Sequence, residues 1–573
     1  MSDHLTQGVR TKGKVFVIGL DGATFDLIKP WVSQGKLPTF ARLMRQGVHG
    51  RLESPIPQSP PAWASFMTGK NPGKHGIYGF AQPKGTNYEM ELANGGLCRA
   101  KTLWRLLSER GRSVGVINVP MTFPPAPVNG FLIAGFDTPY SSMHYTYPSH
   151  LRQELEAAFG KYTFFPPIVG VELKAVVNNL IETIDLRVKV VRYLFERYPC
   201  DFSMVVFNAT DTMQHLCLGE QSGEVANDEF LSAILRIYQL CDAFVGETLN
   251  SLSEDTTLVV MSDHGAGTLD KYVHLNSWLA SLGLLRYRRP VAGSSAGDSG
   301  IRIRKVLRGA WGQTVTSAKR SLPLSLRKRL RRYLGLKARA DTSLALDNVD
   351  WDHTLAYICR TGGIYLNVAG RQPHGIVQPG SEYDRLCDTI ATSLLGLTDP
   401  GTDEGVVERV SRKDELFHGP HVDNAPDLYI HWKDDAYLAW FDMGAGRDSF
   451  FSAPRALSLD DVVPPDPKAV NVGNHRREGV LMMAGPPIVR GSSIDDAQIV
   501  DLAPTILHLM GEAVDADMDG RVLDGALTEV FASEHRVVYE VYHEQTMEAP
   551  ESVYLDEEKE EMLERLRHLG YFS

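Results

Sequence analysis

The sequence predicts a layered α/β/α domain with a mostly parallel sheet and an inserted cap. Three observations predict it. Short apolar runs alternate with segments of helical periodicity, as in βαβ units. Two of these runs, 15–20 and 257–262, are apolar on both faces, as strands covered by helices on both sides must be. They end in Asp21 and in Asp263-His264, and open α/β sheets collect their ligands beyond the carboxyl ends of their strands.

In chain order, strand-like runs fall at 14–20, 115–119, 131–135, 203–207, 257–261, 479–484 and 537–542. Helical patterns fall at 36–47, 101–110, 149–158, 173–197, 227–252 and 501–511. Gly111 is placed to close the second helix, and Asp501 to cap the last, with Pro504 in its first turn. The alternation breaks between 288 and 455, where a Gly/Ser-rich stretch at 291–300 leads into a basic segment and then short mixed strands. Residues 12–287 therefore read as the first part of the core, 288–455 as the cap and 456–545 as the second part. The acidic stretch 546–573 reads as a surface helix.

At 573 residues there is ample material for a large core, and 43% hydrophobic with 23% charged residues is ordinary for a globular chain. No apolar run reaches the roughly 18–20 residues that span a bilayer. Residues 1–14 are polar, without a signal-peptide core, so a cytoplasmic location is expected. The six cysteines form no CxxC pair and read as reduced thiols. The net charge is −11, yet residues 299–340 carry thirteen Lys or Arg and no acid. Sequence-specific nucleic-acid binding by so acidic a remainder is not expected. Within the basic segment, residues 322–334 form an amphipathic pattern suited to a solvated face or an anionic lipid surface.

The chemistry lies in three Asp and three His. Asp211 and His215 are spaced i, i+4, so a helix presents them on one face to one ion, and His475 could complete that shell. Asp263 and His264 can converge on a second ion in a turn opened by Gly265, with Asp21 joining them. Imidazole with carboxylate suits Zn2+ best, and the same ligands accept Mn2+ or Fe2+. Two ions ~3.5–4 Å apart clamp the attacking and leaving oxygens of a phosphoryl displacement. Ser59, ahead of Pro60 and Pro61, supplies a hydroxyl near the start of a helix. Singly, each piece has a plainer reading: Asp21-Gly22 as a strand-ending turn, Asp211 and His215 as a solvated pair, His475 as a surface histidine. His75 reads as a turn-former, and Asn208, Lys70 and His274 as candidate substrate contacts.

Asp21-Gly22, Leu37-Pro-Thr-Phe-Ala-Arg-Leu43, Ser59-Pro60-Pro61 and the stretch Thr68 to Ile77 resemble the type I phosphodiesterase/nucleotide pyrophosphatase family of the alkaline phosphatase superfamily. Asp211-xxx-His215, Ser262-Asp263-His264-Gly265, His475, the segment 499–507 and Asp517-Met-Asp-Gly520 are similar to its later motifs, in order. The resemblance covers 14–290 and 470–530. It implies an alkaline phosphatase-like core in which Asp211, His215 and His475 hold one zinc and Asp21, Asp263 and His264 the other. Ser59 would bridge both ions as the nucleophile. The implied reaction cleaves phosphodiester or nucleotide-pyrophosphate bonds of a small molecule through a phosphoseryl or nucleotidyl-seryl intermediate. Where nucleotide pyrophosphatases carry an Asn three residues after the nucleophile, this chain has Ala62. Related sulfatases need Arg where Trp63 stands, which argues against that activity. A phosphomonoesterase, a phosphoglycerate-type mutase and a metal-binding protein without turnover are the rivals.

Overall fold

The computed structural model describes residues 13–84, 88–219, 224–288, 348–359, 362–440, 450–464, 470–542 and 553–568. Six of the seven predicted runs become strands of one ten-stranded sheet. At its centre lie β1 (Lys14–Leu20), β6 (Phe202–Phe207) and β7 (Thr256–Met261). β1 pairs in parallel with both neighbours, Ile18 facing Val205 on one side and Val260 on the other. β6 and β7 are buried at every position, which is why their sequences do not alternate. Beyond β6 the sheet continues in parallel through β3 (Val114–Val119) and β4 (Gly130–Ala134), and ends on the short antiparallel β5 (Thr146–Tyr147).

On the other side the pattern changes. β16 (Glu478–Ala484) runs antiparallel both to β7 and to the next strand, β2 (Val48–Glu53). β2 therefore points the same way as β1, and the residues after it leave from the same edge as Asp21 and Asp263. β16, being reversed, begins at that edge. The strand before it, β15 (Gly473–Arg476), pairs antiparallel with β8 (Gly265–Thr268), Ala266 opposite His475. One reversed strand thus brings a distant segment to the functional end of a parallel sheet.

The six predicted helices appear as α2 (Pro38–Gln46), α4 (Leu103–Glu109), α5 (Leu151–Phe159), α6 (Leu173–Arg197), α8 (Glu224–Ser251) and α10 (Leu502–Leu509). Three more complete the core: α1 (Phe25–Ser33), α3 (Ser59–Thr68) and α7 (Ala209–Cys217). α1 carries Pro30 in its interior, which masks its periodicity in sequence. Every residue of α3 and of α7 is buried, so neither shows an amphipathic stripe. Asp501 takes the expected N-cap position, but its side chain makes no cap bond to its own helix. Its carboxylate accepts the Gln498 and Arg521 amides and ties the helix entry to a later loop.

Two expectations are corrected. The run 537–542 joins no main-sheet strand; only Tyr539–Glu540 pairs, with Val514–Asp515. Both residues are exposed, so a β-branched pattern there lacks the burial that would seat it in the sheet. The acidic tail helix, α11 (Asp556–His568), is not free at the surface. Met562, Leu563 and Leu566 are buried, and Arg565 donates to the Thr138 carbonyl at 2.7 Å, docking one face on the core.

Within 348–440, β10 (Ala356–Ile358), β11 (Ile364–Leu366), β13 (Leu428–Trp432) and β12 (Val407–Arg412) form a separate antiparallel sheet in that order. α9 (Ser381–Leu395) packs on it. Buried Asp427 anchors this unit, accepting from Arg371 at 2.6 Å and from the Tyr383 hydroxyl at 2.9 Å. β14 (Tyr437–Trp440) then pairs in parallel with β9 (Lys271–His274) of the core. The Gly/Ser-rich stretch 291–300 and the basic segment 299–340 lie outside the described residues. Among the described residues no helix is long and apolar enough to cross a membrane.

Gly19 seats the helix that carries Ser59. A Cβ at Gly19 would lie 2.7 Å from Cη2 of Trp63 and 2.8 Å from Cγ2 of Val206, so the missing side chain is what lets α3 rest on β1. Gly19→Ala is expected to cost about 1–3 kcal/mol through overpacking, read as a lower urea midpoint. An unchanged midpoint would mean that Trp63 does not bear on β1.

Candidate metal centre

Asp21 follows β1, Asp211 and His215 lie on α7 directly after β6, and Asp263-His264 follow β7. Because β1 is flanked by β6 and β7, all five reach one edge of the sheet. β15 brings His475, and the turn after β2 brings Ser59. All seven are buried, between 0% and 9% exposed.

They form two groups, Asp211 with His215 and His475, and Asp21 with Asp263 and His264; within each, one ligand atom per residue lies within 4.8 Å of the others. In the first group Nε2 of His215 and Nε2 of His475 are 2.9 Å apart, and Oδ1 of Asp211 is 3.3 and 3.5 Å from them. In the second, Nε2 of His264 is 3.3 Å from Oδ2 of Asp263 and 3.7 Å from Oδ1 of Asp21. The rings of His264 and His475 stack at 3.6 Å and join the groups. Ser59 Oγ lies 3.3 Å from Nε2 of His264.

The outer nitrogens set the tautomers. Nδ1 of His215 faces the Gly473 carbonyl at 3.0 Å, Nδ1 of His475 the Pro57 carbonyl at 2.6 Å, and Nδ1 of His264 the Gly265 carbonyl at 3.0 Å. A carbonyl only accepts, so each Nδ1 donates, and each Nε2 turns its lone pair inward, as in metal-binding histidines. Two such nitrogens 2.9 Å apart cannot both present lone pairs without repelling, so either a proton on one of them or a cation between them is needed. The buried Oδ1 of Asp21 and Oδ2 of Asp263 accept no hydrogen bond. This donor set fits divalent cations.

The electrostatics agree. Burial, then Asp263, pushes the Asp21 carboxyl well above its ordinary range, and burial, then Asp211, lifts Asp263 to about 7. Burial also raises Asp211, but His215 and His475 outweigh it and hold it well below the usual range. Burial holds His215 and His264 below the ordinary histidine value, whereas for His475 it is outweighed by Asp211, which lifts it. Without a cation, protons must discharge this cluster.

Supporting residues fix the carboxylates. Asn208 donates to Asp21 Oδ2 at 2.7 Å, and the Gly22 amide to Asp263 Oδ1 at 3.2 Å. Gln214 donates to the Gly22 carbonyl at 2.8 Å and is held by the Tyr238 hydroxyl at 3.0 Å. Gly22 adopts φ +66°, and a Cβ there would stand 2.8 Å from Oδ1 of Asp211, so both conformation and space require glycine. Sequence reasoning overlooked Gln214 and Tyr238; Gln214, three residues after Asp211 on a helix turn, was the one available signal.

Of the other candidates, Asn208 lies at the centre, and Lys70, His274 and His75 have other partners. Asn208 supports Asp21. Lys70 is buried against Asp515 at 3.4 Å and Asp517 at 2.9 Å, far from a solvated contact role. His274 meets Ser452 at 2.8 Å. His75 accepts the Ile77 amide on Nδ1 at 3.2 Å and meets Ser65 on Nε2 at 3.0 Å, and burial drives its pKa down to about 3, as a turn-former requires. The expectation for Ser59 at a helix start holds with one change: Pro60 and Pro61 have no N–H, so the Ser59 amide is the donor left among the first three helix positions.

An α/β protein with two buried His/Asp groups at the ends of its sheet strands is the class this architecture defines. The profile described as "Type I phosphodiesterase / nucleotide pyrophosphatase" matches residues 15–441, and the chain belongs to that family. Among solved structures, phosphonoacetate hydrolase from Sinorhizobium meliloti 1021 is 13% identical, with 87% of this chain and 95% of that one covered and a TM-score of 0.50. Human ectonucleotide pyrophosphatase/phosphodiesterase 5 is 12% identical over 90% and 98%, with a TM-score of 0.46. Wild-type alkaline phosphatase PafA is 14% identical over 90% and 99%, with a TM-score of 0.46. At such identities the first of these speaks for the fold alone. No curated protein matches the chain by sequence.

Chelation is expected to lower the melting temperature more at pH 8 than at pH 5.5. Asp263, like Asp21 and His475, has its pKa raised in the folded state, so at these groups the metal-free fold holds protons the unfolded chain releases and their contribution is lost as pH rises, while His215 and His264, held low, offset part of it. Calorimetry with and without chelator checks this; an equal drop at both pH values would contradict it.

Proposed function

We propose that the protein is a two-metal phosphodiesterase with Ser59 as its nucleophile. The observation that carries the proposal is the position of Ser59 Oγ, 3.3 Å from Nε2 of His264, at the start of a buried helix beside two groups of inward-facing donors. Asp211, His215 and His475 would hold one ion and Asp21, Asp263 and His264 the other, with Ser59 between them. Zn2+ suits this set best, and Mn2+ fits the same ligands. When bound, such ions lower the pKa of a neighbouring hydroxyl and neutralise charge on the attacking and leaving oxygens.

The chain's own residues supply the rest. Ser59 Oγ passes its proton to solvent and attacks phosphorus; the bond to the leaving alcohol breaks, that oxygen takes up a proton, and the phosphoryl group, still carrying its second ester, is left on Ser59. Water then attacks that phosphorus and Ser59 Oγ departs, regaining a proton. The positive end of the α3 dipole and the Ser59 amide face the charge that develops there. Asn208 holds Asp21 in place through both steps. Nucleotide pyrophosphates enter the proposal through the family; with Ala62 in place of the family's Asn, another donor would have to take over its phosphoryl-oxygen contact. The six free thiols support a cytoplasmic setting.

Purified, zinc-loaded protein is expected to hydrolyse bis-p-nitrophenyl phosphate in preference to p-nitrophenyl phosphate, and chelator to abolish both activities. Preference for the monoester would reassign it as a phosphatase. Ser59→Ala is expected to lower turnover by at least about 1,000-fold while bound metal stays near the wild-type content. Asp263→Asn should reduce both. Near-normal turnover by Ser59→Ala would end the covalent mechanism.

A further inference from the structure

β2 ends at Glu53 and α3 begins at Ser59, and the chain between them reads Ser54-Pro55-Ile56-Pro57-Gln58. Pro55 and Pro57 before Ser59, with Pro60 and Pro61 after it, fix φ on both sides of that residue. A residue that precedes a proline is restricted as well. So stiff a segment does not absorb a displacement at one end but passes it to the other. The places where it is pinned therefore set where the Ser59 hydroxyl stands.

Three ties hold it. Ser54 is buried; its amide donates to the Arg477 carbonyl at 2.9 Å, and its hydroxyl donates to the Asp263 carbonyl. Ile56 packs in an apolar cluster with Tyr78, Phe417 and Tyr429. The Pro57 carbonyl accepts from Nδ1 of His475 at 2.6 Å. The Ser54 hydroxyl differs from the other ties in what it reaches. Asp263 is followed by His264, whose Nε2 lies 3.3 Å from Oγ of Ser59. Two hydroxyls, one at each end of the segment, thus meet two adjacent residues of the same ion group. Ser54, residues 55–58, Ser59, His264 and Asp263 form a closed ring. Its Ser54 link is a side chain that belongs to neither group of ion ligands. Without that hydroxyl the Arg477, Ile56 and Pro57 ties remain, so both ion groups persist. What is lost is the bond that refers the start of the segment to Asp263.

We propose that Ser54 is a positioning residue for the Ser59 nucleophile: its hydroxyl, bound to the Asp263 carbonyl, sets the reach of Ser59 onto the metal centre. The inference rests on the phosphodiesterase reading and deepens it. Attack on phosphorus needs the oxygen held close and in line, and a misplacement of about 1 Å costs about 100-fold in rate. A residue that built the ion site would affect metal and phosphate binding, whereas one that aims Ser59 affects the attack alone.

The test uses full-length, zinc-loaded protein with bis-p-nitrophenyl phosphate as substrate and inorganic phosphate as inhibitor. Ser54→Ala is expected to lower kcat by about 10–100-fold. KM and inhibition by phosphate should each stay within about two-fold of wild type, with bound metal unchanged. Ser54→Cys, which keeps a side chain of similar shape but donates only weakly, should fall between the two. It also supplies the same comparison where Ser54→Ala does not yield folded, metal-loaded protein. A kcat within about two-fold of wild type at equal metal content would overturn the inference and leave the diesterase reading standing. Loss of metal, or phosphate inhibition weakened as much as turnover, would also overturn it, since Ser54 would then build the ion site rather than aim Ser59. Wild type without chelator-sensitive turnover of the diester would overturn the diesterase reading, and this inference with it.

Discussion

Like charges that cannot reach solvent repel strongly, and Asp21, Asp211 and Asp263 gather at one end of the sheet with exposures of 3%, 6% and 0%. Their oxygens are met by inward-facing imidazole lone pairs rather than by cationic side chains. Such an arrangement is unfavourable for its own sake, and it persists because the surrounding fold holds every member from behind. Carbonyls of Gly473, Pro57 and Gly265 orient the three histidines, while Asn208 and the Gly22 amide hold two of the carboxylates. What the cluster lacks is positive charge, and a phosphate ester arriving with divalent cations would find that need already shaped.

The reversed strand β16 is the architectural counterpart of this chemistry. Had it run parallel to β7, its leading residues would emerge at the far end of the sheet, and His475 with them. Close backbone approach makes the reversal work: a Cβ at Gly479 would sit 2.4 Å from Oγ of Ser262, and one at Gly473 would sit 2.3 Å from the Gln214 carbonyl. The same segment ties down the inserted region. Asp434 and Asp435 both adopt left-handed backbone conformations, at φ 53° and 49°. Asn474 Nδ2 donates to the Asp435 carbonyl at 2.7 Å, and the Arg477 amide to its carboxylate at 3.2 Å, which holds that turn against the strand bearing His475. The centre and the turn at Asp434–Asp435 are thereby tied to one strand.

Much of this was legible from local pattern. β1, β6 and β7 are apolar runs too uniform to be surface strands, and α6 and α8 carry helical periodicity over many turns. α3 and α7 were harder, because helices buried on all sides have no polar face to reveal their period. The tail helix misled in the opposite way: its acidic face dominates the composition, while three apolar residues and Arg565 decide where it docks. Lys70 looked available for a substrate because lysine is usually exposed. Its burial against Asp515 and Asp517 depends on a segment more than 400 residues away.

The sequence by itself determined the fold class, the family and the residue types of the centre, because strand burial, helix period and Asp/His motifs are local properties. The two groups, Asp211 with His215 and His475 and Asp21 with Asp263 and His264, were also legible from spacing and motif order; the tertiary structure decided how closely their ligand atoms approach. It alone decided which nitrogen of each histidine faces inward. Those outcomes depend on strand order and direction, which bring together residues hundreds of positions apart and leave no periodic trace along the chain.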